Sequence, residues 1–364
     1  MTTLSPRALN RAMLARQLLL RRSHLGVLDA VRHLAGLQAQ SPWPPYYALW
    51  TRLHGFRPEQ LSELLVNREV VRIVLMRGTV HLVDAADGLA WRPVVQPLLD
   101  RDLATNTQHA AKAAGLDLAE VAGHARELLA GEPLTAGRLG ERLALRWPGR
   151  PPSTLAHIAR NLLPLVQVPP RGVWGRSGQT TYATAQDWLG RPLAPPDPAA
   201  LVLRYLAAFG PASVLDVQTW CGLTRLGEVV EGLDLRTFRD EAGRTLYDLP
   251  DADRPDPDTP APPRFLGGFD QTLLSYADRT RVISDEYRRR IFTKNGLIPQ
   301  AVLCDGVVRG VWRIERAGDS ATLTVTEFAR MSTKDRTALT SAGARLLRFA
   351  EPSAVHDIRF VAEY

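Results

Sequence analysis

Two cysteines, Cys221 and Cys304, are all that this chain of 364 residues contains. Two thiols build neither a disulfide framework nor a cysteine-ligated zinc site, so a reducing cytoplasm is the expected compartment. No run of eighteen apolar residues occurs, which argues against a transmembrane helix and a membrane partner. The N-terminal stretch MTTLSPRALNRAMLARQLLLRR is basic, but its apolar positions are periodic and no small-residue cleavage site follows. It reads as a first amphipathic helix rather than a signal peptide. Lysine is scarce: Lys112, Lys294 and Lys334 are the only three, so arginine carries nearly all the positive charge behind a net +7. GC-rich coding accounts for much of that skew. The surplus charge itself favours a polyanion, most simply nucleic acid, although a merely basic protein would show the same total.

What is present is organisation. The chain is 45% hydrophobic and long enough for two to four domains. Residues 5–21, 25–38, Pro45–Leu53 and Pro58–Val66 read as helices. EVVRIVLMRGTVHLVD (69–84) then alternates around Arg77-Gly78 as a strand–turn–strand hairpin. Helices followed by a hairpin are the winged-helix pattern, and it recurs. Helices at Leu118–Leu129, after a Thr135 cap and after a Ser153 cap precede two strands around a Pro-Gly turn (166–184). A third pass has helices in AALVLRYLAAFG, SVLDVQTWCGL and TRLGEVVEGL, with a hairpin candidate at 237–249. The Pro/Asp stretch 250–264 reads as a linker that cannot pack. Beyond it come a hairpin around Asp305-Gly306, a strand (321–328), a helix (333–349) and a last strand. The expectation is an α+β chain of tandem winged helices (1–110, 111–191, 192–250) with a small α+β or barrel-like C-terminal domain (251–364).

The segment GLQAQSPWPPYY (36–47) places two uncharged amides, Gln38 and Gln40, at the end of an apolar helical pattern. Gln38 falls on the stripe of Val31, Leu34 and Ala35. Such a side chain is either a satisfied buried glutamine or part of a cleft. On a continuing helix the two amides diverge. Pro42 disfavours helix at Ser41, however, and on an extended segment residues two apart share a face. Trp43, Tyr46 and Tyr47 follow, as aromatic surface for a base or sugar or as core. Amides donate and accept hydrogen bonds but are not bases at neutral pH, so they suit a substrate that already carries a good leaving group.

Arg77, Thr79 and His81 alternate along the first hairpin, as a nucleic-acid-contacting face or as a solvated one. His81 has no second ligand at metal spacing, so no zinc site is expected. Arg138, Arg142 and Arg146 recur every four residues as a basic helical stripe. His157, Arg160 and Asn161 lie on the next helix, and Arg171 and Arg176 on the second hairpin. Phosphate contact and a solvated face both remain open for these residues. Arg288-Arg289-Arg290 is a charge run with no assigned partner.

GLQAQSPWPPYYALWTRL, MRGTVHLVD, FLGGFDQTLLSYADR and VLCDGVVRGVWR, in this order, resemble blocks of the AlkZ-type bacterial DNA glycosylases. The resemblance implies tandem winged helices in a concave DNA-binding body. It also implies excision of N7-alkylated purines, unhooking of interstrand crosslinks, and self-resistance to a genotoxic natural product. The family motif is glutamine, an apolar residue, glutamine, with aspartate last in a sister branch; Gln38-Ala39-Gln40 matches the first form. The resemblance therefore implies a monofunctional enzyme in which Gln38 and Gln40 hold a water. No cofactor, metal or Schiff-base lysine is expected. The expected substrate is duplex DNA carrying N7-alkylguanine or a crosslink, bound by a monomer. The family usually has an acidic residue after the aspartate matching Asp270; Gln271 departs from this, and Asp270 is not expected to be catalytic. A non-enzymatic winged-helix regulator is the alternative, and sequestration of a free toxin a further one.

Overall fold

The computed structural model describes residues 2–292 and 296–363; Lys294 lies outside the described residues. Helix starts follow local chemistry. Ser5 accepts from the Ala8 amide and Pro6 occupies the first turn of the helix Pro6–Arg16. Thr135 caps Ala136–Arg146, and Ser213 and Asp216 form a reciprocal capping box at the head of Val214–Cys221. Ser153 does not cap. The helix Pro152–Leu162 takes its N-cap two residues earlier, at Pro151, because the fixed φ of proline suits a first turn. The first helix also ends well short of residue 21, with Leu18 at φ 56°.

The strands are β1 (Thr3–Leu4), β2 (Leu37–Gln38), β3 (Val70–Val74), β4 (Val80–Asp84), β5 (Leu134–Thr135), β6 (Leu165–Gln167) and β7 (Thr181–Thr184). They continue with β8 (Arg236–Asp240), β9 (Thr245–Asp248), β10 (Arg264–Phe265), β11 (Ala301–Cys304), β12 (Val307–Ala317), β13 (Ser320–Glu327) and β14 (Val355–Ala362). The first two expected hairpins join edge to edge. β3 pairs antiparallel with β6, Ile73 opposite Val166, in a six-stranded sheet of order β2-β4-β3-β6-β7-β5. Edge pairing satisfies backbone groups that two separate hairpins would leave to water. The link between β6 and β7 is a loop over residues 168–180 rather than a tight Pro-Gly turn. β8 and β9 form the third hairpin, extended by β1 in parallel.

The C-terminal part is an α+β layer: an open sheet of order β10-β11-β12-β13-β14, with the helix Thr333–Ala350 crossing from β13 to parallel β14. This ladder is open, so the barrel alternative is set aside.

The apolar core crosses every boundary expected from the sequence. One cluster contains Met13, Val71, Val166, Trp220, Leu273 and Val308. The Pro/Asp stretch forms no helix or strand before β10, yet it is tied down: Arg11 Nε donates to the Thr259 carbonyl at 2.7 Å and Arg7 Nε to that of Pro257 at 2.8 Å. The expected unpacked linker is thus a strap along the first helix. Two buried ion pairs pin distant segments together. Arg16 meets Asp248 through two bonds of 2.7 and 2.8 Å, and Arg52 meets Asp270 through bonds of 2.8 and 2.9 Å. Both side chains of the second pair are 1% exposed, so either left alone is a desolvated charge. Asp270→Ala should therefore lose about 3–5 kcal/mol of stability in a denaturant titration; a loss below about 1 kcal/mol, as at an exposed pair, would show the charge to be solvated.

Candidate functional site

The helix expected to carry Gln38 stops before it. Val27–His33 is capped at Leu34, and Ala35 (φ 54°) and Gly36 (φ 81°) are left-handed. Glycine is required at 36, where a Cβ would lie 2.5 Å from Val83 Cγ1. The two left-handed residues turn the chain and lay β2 against β4 as an edge strand, with Gln38 opposite His81. Ala39 is pinned on both sides: its N–H donates to Val80 O, and its carbonyl accepts from Arg72 Nη2, each at 2.7 Å. With buried Ala39 between them, Gln38 and Gln40 share a face, as residues two apart on extended backbone do.

The two amides meet. Gln38 Nε2 donates to Gln40 Oε1 at 2.9 Å, and Arg77 Nη2 donates to Gln38 Oε1 at 2.7 Å. A guanidinium has no acceptor, so Arg77 dictates which end of Gln38 faces it. Gln38 must then donate onward, and Gln40 must accept through its oxygen. The relay ends at the exposed Gln40 carboxamide, which presents an N–H donor and a second lone pair on Oε1.

Arg77 is held in place by three segments. It sits in the tight turn Met76–Gly78 at φ 56°, and its Nη1 donates to the Trp220 carbonyl. Trp220 Nε1 donates to Gln271 Oε1 at 3.0 Å, and Gln271 Nε2 donates to Gly36 O at 2.8 Å. Gly222 lets the backbone pass close by, since a Cβ there would lie 3.3 Å from Arg77 Cα. Burial, then nearby Arg279, brings the Arg77 pKa down to about 10, which leaves it a cation at neutral pH. Burial, then Arg171, does the same to Arg72, again to about 10. Trp220 and Gln271 were not singled out from the sequence for this role; the one signal was the departure of Gln271 from the acidic family pattern.

Other expected residues divide into outer and inner sets. Trp43 is half-buried at the head of the helix Pro44–Arg52, its ring 5.7 Å from that of Trp174. Arg176 is exposed, while Thr79, Arg160 and Arg171 are half-buried. Arg138 and Arg142 lie 3.8 and 2.9 Å from Glu132, and Arg146 bonds Glu120, so the basic stripe is paired with acidic neighbours. Three residues expected at a surface are inside. Tyr46 is fully buried and its hydroxyl donates to Gly172 O at 2.6 Å. His157 is 9% exposed, with Nε2 3.0 Å from Asp102 and its ring stacked on His109. His81 is fully buried beside Gln38, its Nδ1 3.0 Å from Thr79 O. Arg77, Thr79 and His81 do not share a strand face, because Arg77 lies in the turn. Asp270 is committed to Arg52, in keeping with a structural role.

A family model described as DNA glycosylase AlkZ-like matches residues 31–349. A relative described as an interstrand DNA cross-link repair glycosylase, from Streptomyces sahachiroi, is 28% identical over 330 residues, 82% of this chain and 85% of that protein. The solved structure of Streptomyces sahachiroi DNA glycosylase AlkZ is similar in fold. Its TM-score is 0.79 at 22% identity, covering 99% of this chain and all of that one.

His81 supplies a pH test. The Thr79 carbonyl can only accept, so Nδ1 carries the imidazole proton and Nε2 is bare. Burial, then Arg77, lowers its pKa from 6.5 to about 3. Between those values the unfolded chain binds a proton that the folded chain refuses, so stability falls as pH drops from 6.5 towards 3. In urea titrations over that range, His81→Leu should show a shallower loss with acid than the wild type; equal slopes would assign the loss to other groups.

Proposed function

The chain belongs to the AlkZ-like DNA glycosylase family, and from that membership we propose that it hydrolyses the N-glycosidic bond of N7-alkylated purines, bulky adducts and interstrand crosslinks included. The observation that carries the reading is the oriented pair, Arg77 to Gln38 to Gln40, ending at an exposed amide. Alkylation at N7 leaves guanine cationic, so the departing base needs little acid assistance. Gln38 and Gln40 hold a water against C1′ of the sugar. Its oxygen forms the new bond as the bond from C1′ to the base breaks, and the bonding pair goes to the base and cancels its charge. The water's proton passes to solvent past Gln40, since an amide does not take it. Rate enhancement comes from orientation and fixed dipoles. The product is an abasic site, without a lysine adduct.

The three helix-then-hairpin copies act as tandem winged helices around the duplex, bound by a monomer. Trp43, Thr79, Arg138, Arg142, Arg160, Arg171 and Arg176 supply its outer contacts. The ion pairs of Arg138 and Arg142 are exposed and weak, so phosphate exchanges readily for Glu132. Arg77 and His81 support the amide pair from within, while Tyr46 and His157 are buried in the body of the protein. The cellular role is self-resistance to an alkylating natural product, in the cytoplasm. Among the described residues no helix is long and apolar enough to cross a membrane.

The test uses duplex containing 7-methylguanine or a nitrogen-mustard crosslink, followed by alkali to cut abasic sites. Gln38→Ala and Gln40→Ala should each lower single-turnover excision roughly 100- to 1,000-fold, with duplex affinity kept. Unchanged excision in both would move the chemistry elsewhere, and wild-type binding without excision of any lesion would favour the regulator. Arg77→Met, which removes the donor that orients Gln38, should lower the excision rate about tenfold or more with normal folding. A wild-type rate in this variant would show that the amides hold their orientation unaided.

A further inference from the structure

Strand β14 (Val355–Ala362) is the last strand of the C-terminal sheet. It pairs on one side with β13, in a register that runs unbroken from Val355 opposite Ser320 to Ala362 opposite Glu327. Among the described residues no strand pairs with its other side. The Val355 N–H donates to Asp319 O at 2.7 Å, and the Glu363 N–H to Glu327 O at 2.9 Å. Strand backbone alternates, so Asp357, Arg359 and Val361 also direct their amides towards β13. Those of His356, Ile358, Phe360 and Ala362 point outward. An unpaired row of this kind is a template for another strand. Proteins commonly blunt it with a short length, a bulge, a proline or lysines. β14 has eight residues, an unshifted register, no proline and no lysine.

The two faces of the strand differ. His356, Ile358 and Phe360 are half-buried. Ile358 Cδ1 lies against the helix Thr333–Ala350, 3.2 Å from where a Cβ on Gly343 would stand, and Arg336 of that helix lies over the Phe360 ring at 5.7 Å. His356 Nε2 is 2.7 Å from Glu351 O. These contacts hold the strand from one side. The other face carries Val355, Asp357, Arg359 and Val361, all exposed, the two valines at 70% and 48%. Arg359 Nε donates to Asp357 Oδ2 at 2.6 Å, so the charges on this face cancel within one strand.

That order of residues is complementary to itself. Outward backbone groups meet only outward ones, so a twofold axis relating two antiparallel β14 strands passes through a residue, not between two. An axis at Asp357 sets that carboxylate against its own copy, and an axis at Arg359 sets two guanidinium groups together. Like charges directly opposite are destabilising. An axis at His356 sets Val355 against Asp357, and one at Phe360 sets Val361 against Arg359. An axis at Ile358 sets Asp357 against Arg359 of the second copy, twice, and Val355 against Val361, twice. These are non-hydrogen-bonded pairs, whose side chains approach most closely. We propose that β14 pairs antiparallel with β14 of a second copy of this chain, about a twofold axis at Ile358. One strand edge buries little area, so the dimer is weak and forms at high protein concentration. The amide pair lies in the other sheet, and one copy still serves each duplex. The inference stands apart from the glycosylase reading.

The test is sedimentation velocity of the full chain from low to high micromolar concentration, where the wild type should pass from monomer to dimer. Asp357→Arg and Arg359→Asp each leave one sign of charge on the exposed face, and each should weaken self-association about tenfold or more. Both positions are exposed, and melting curves establish that each variant folds. Mixed in equal amounts, the two variants should associate with each other about as strongly as the wild type does with itself, because every charge then meets its opposite. A wild type that stays monomeric throughout overturns the inference. So does a dimer whose strength neither substitution changes, or a mixture that associates no better than either variant alone.

Discussion

A single hydrogen bond gives the site its direction. Arg77 Nη2 donates to Gln38 Oε1, and because a guanidinium has nothing to accept with, the orientation of both amides follows. Two carboxamides in contact, without such a neighbour, exchange roles freely by flipping. With it, Gln38 can only donate onward and Gln40 can only receive on oxygen. The rest of the fold supplies what that bond needs. Arg77 is placed by a left-handed turn, by the Trp220 carbonyl and by the close passage of Gly222. Trp220 is placed by Gln271, which also holds the Gly36 carbonyl just before β2. The loop thus closes on itself: the residues that orient Gln38 also fix the backbone from which Gln38 projects. Hydrogen-bonded chains of this kind polarise one another, so the order of the whole exceeds that of any pair.

Much of this arrangement was legible in the residues, and the exceptions have physical causes. The proline run after Gln40 correctly marked a departure from helix, and extended backbone put both amides on one face. The departure comes earlier than the prolines suggest, because Ala35 takes a left-handed conformation that alanine's helix preference conceals. Period-2 alternation grouped Arg77 with Thr79 and His81. Yet Arg77-Gly78 was also recognisable as the turn of that hairpin, and a turn residue does not share the strand's face. The joining of β3 to β6 was not legible at all. Their pairing spans nearly a hundred residues, and edge-to-edge docking depends on three-dimensional placement rather than on local pattern. Gln271 stood out only as a departure from an acidic family pattern. Its role explains the departure: it donates to a carbonyl while accepting from an indole, which needs both ends of an amide and which a carboxylate cannot do.

The remaining question is why the guanidinium groups of buried Arg72 and half-buried Arg77 stand behind a site read here as taking a cationic base. Arg72 donates to the Ala39 carbonyl and Arg77 to an amide and a carbonyl, all neutral acceptors. Other buried arginines, Arg16 and Arg52, have carboxylates. At an effective dielectric of about 20, two charges about 8 Å apart repel by roughly 2 kcal/mol. That cost bears on the rate only so far as it changes between bound substrate and transition state. In glycosidic cleavage the positive charge moves from base to sugar across one bond and is not created anew. The repulsion is therefore nearly the same before and during the reaction. A carboxylate partner would neutralise the positive charge beside the amide pair, and would compete with Gln38 for the guanidinium. Neutral acceptors leave the full charge of Arg77 to polarise the amide chain. On the proposed chemistry, the positive background would weaken binding of a cationic base, would be offset by the phosphates on either side of it, and would leave the difference that sets the rate to the two glutamines.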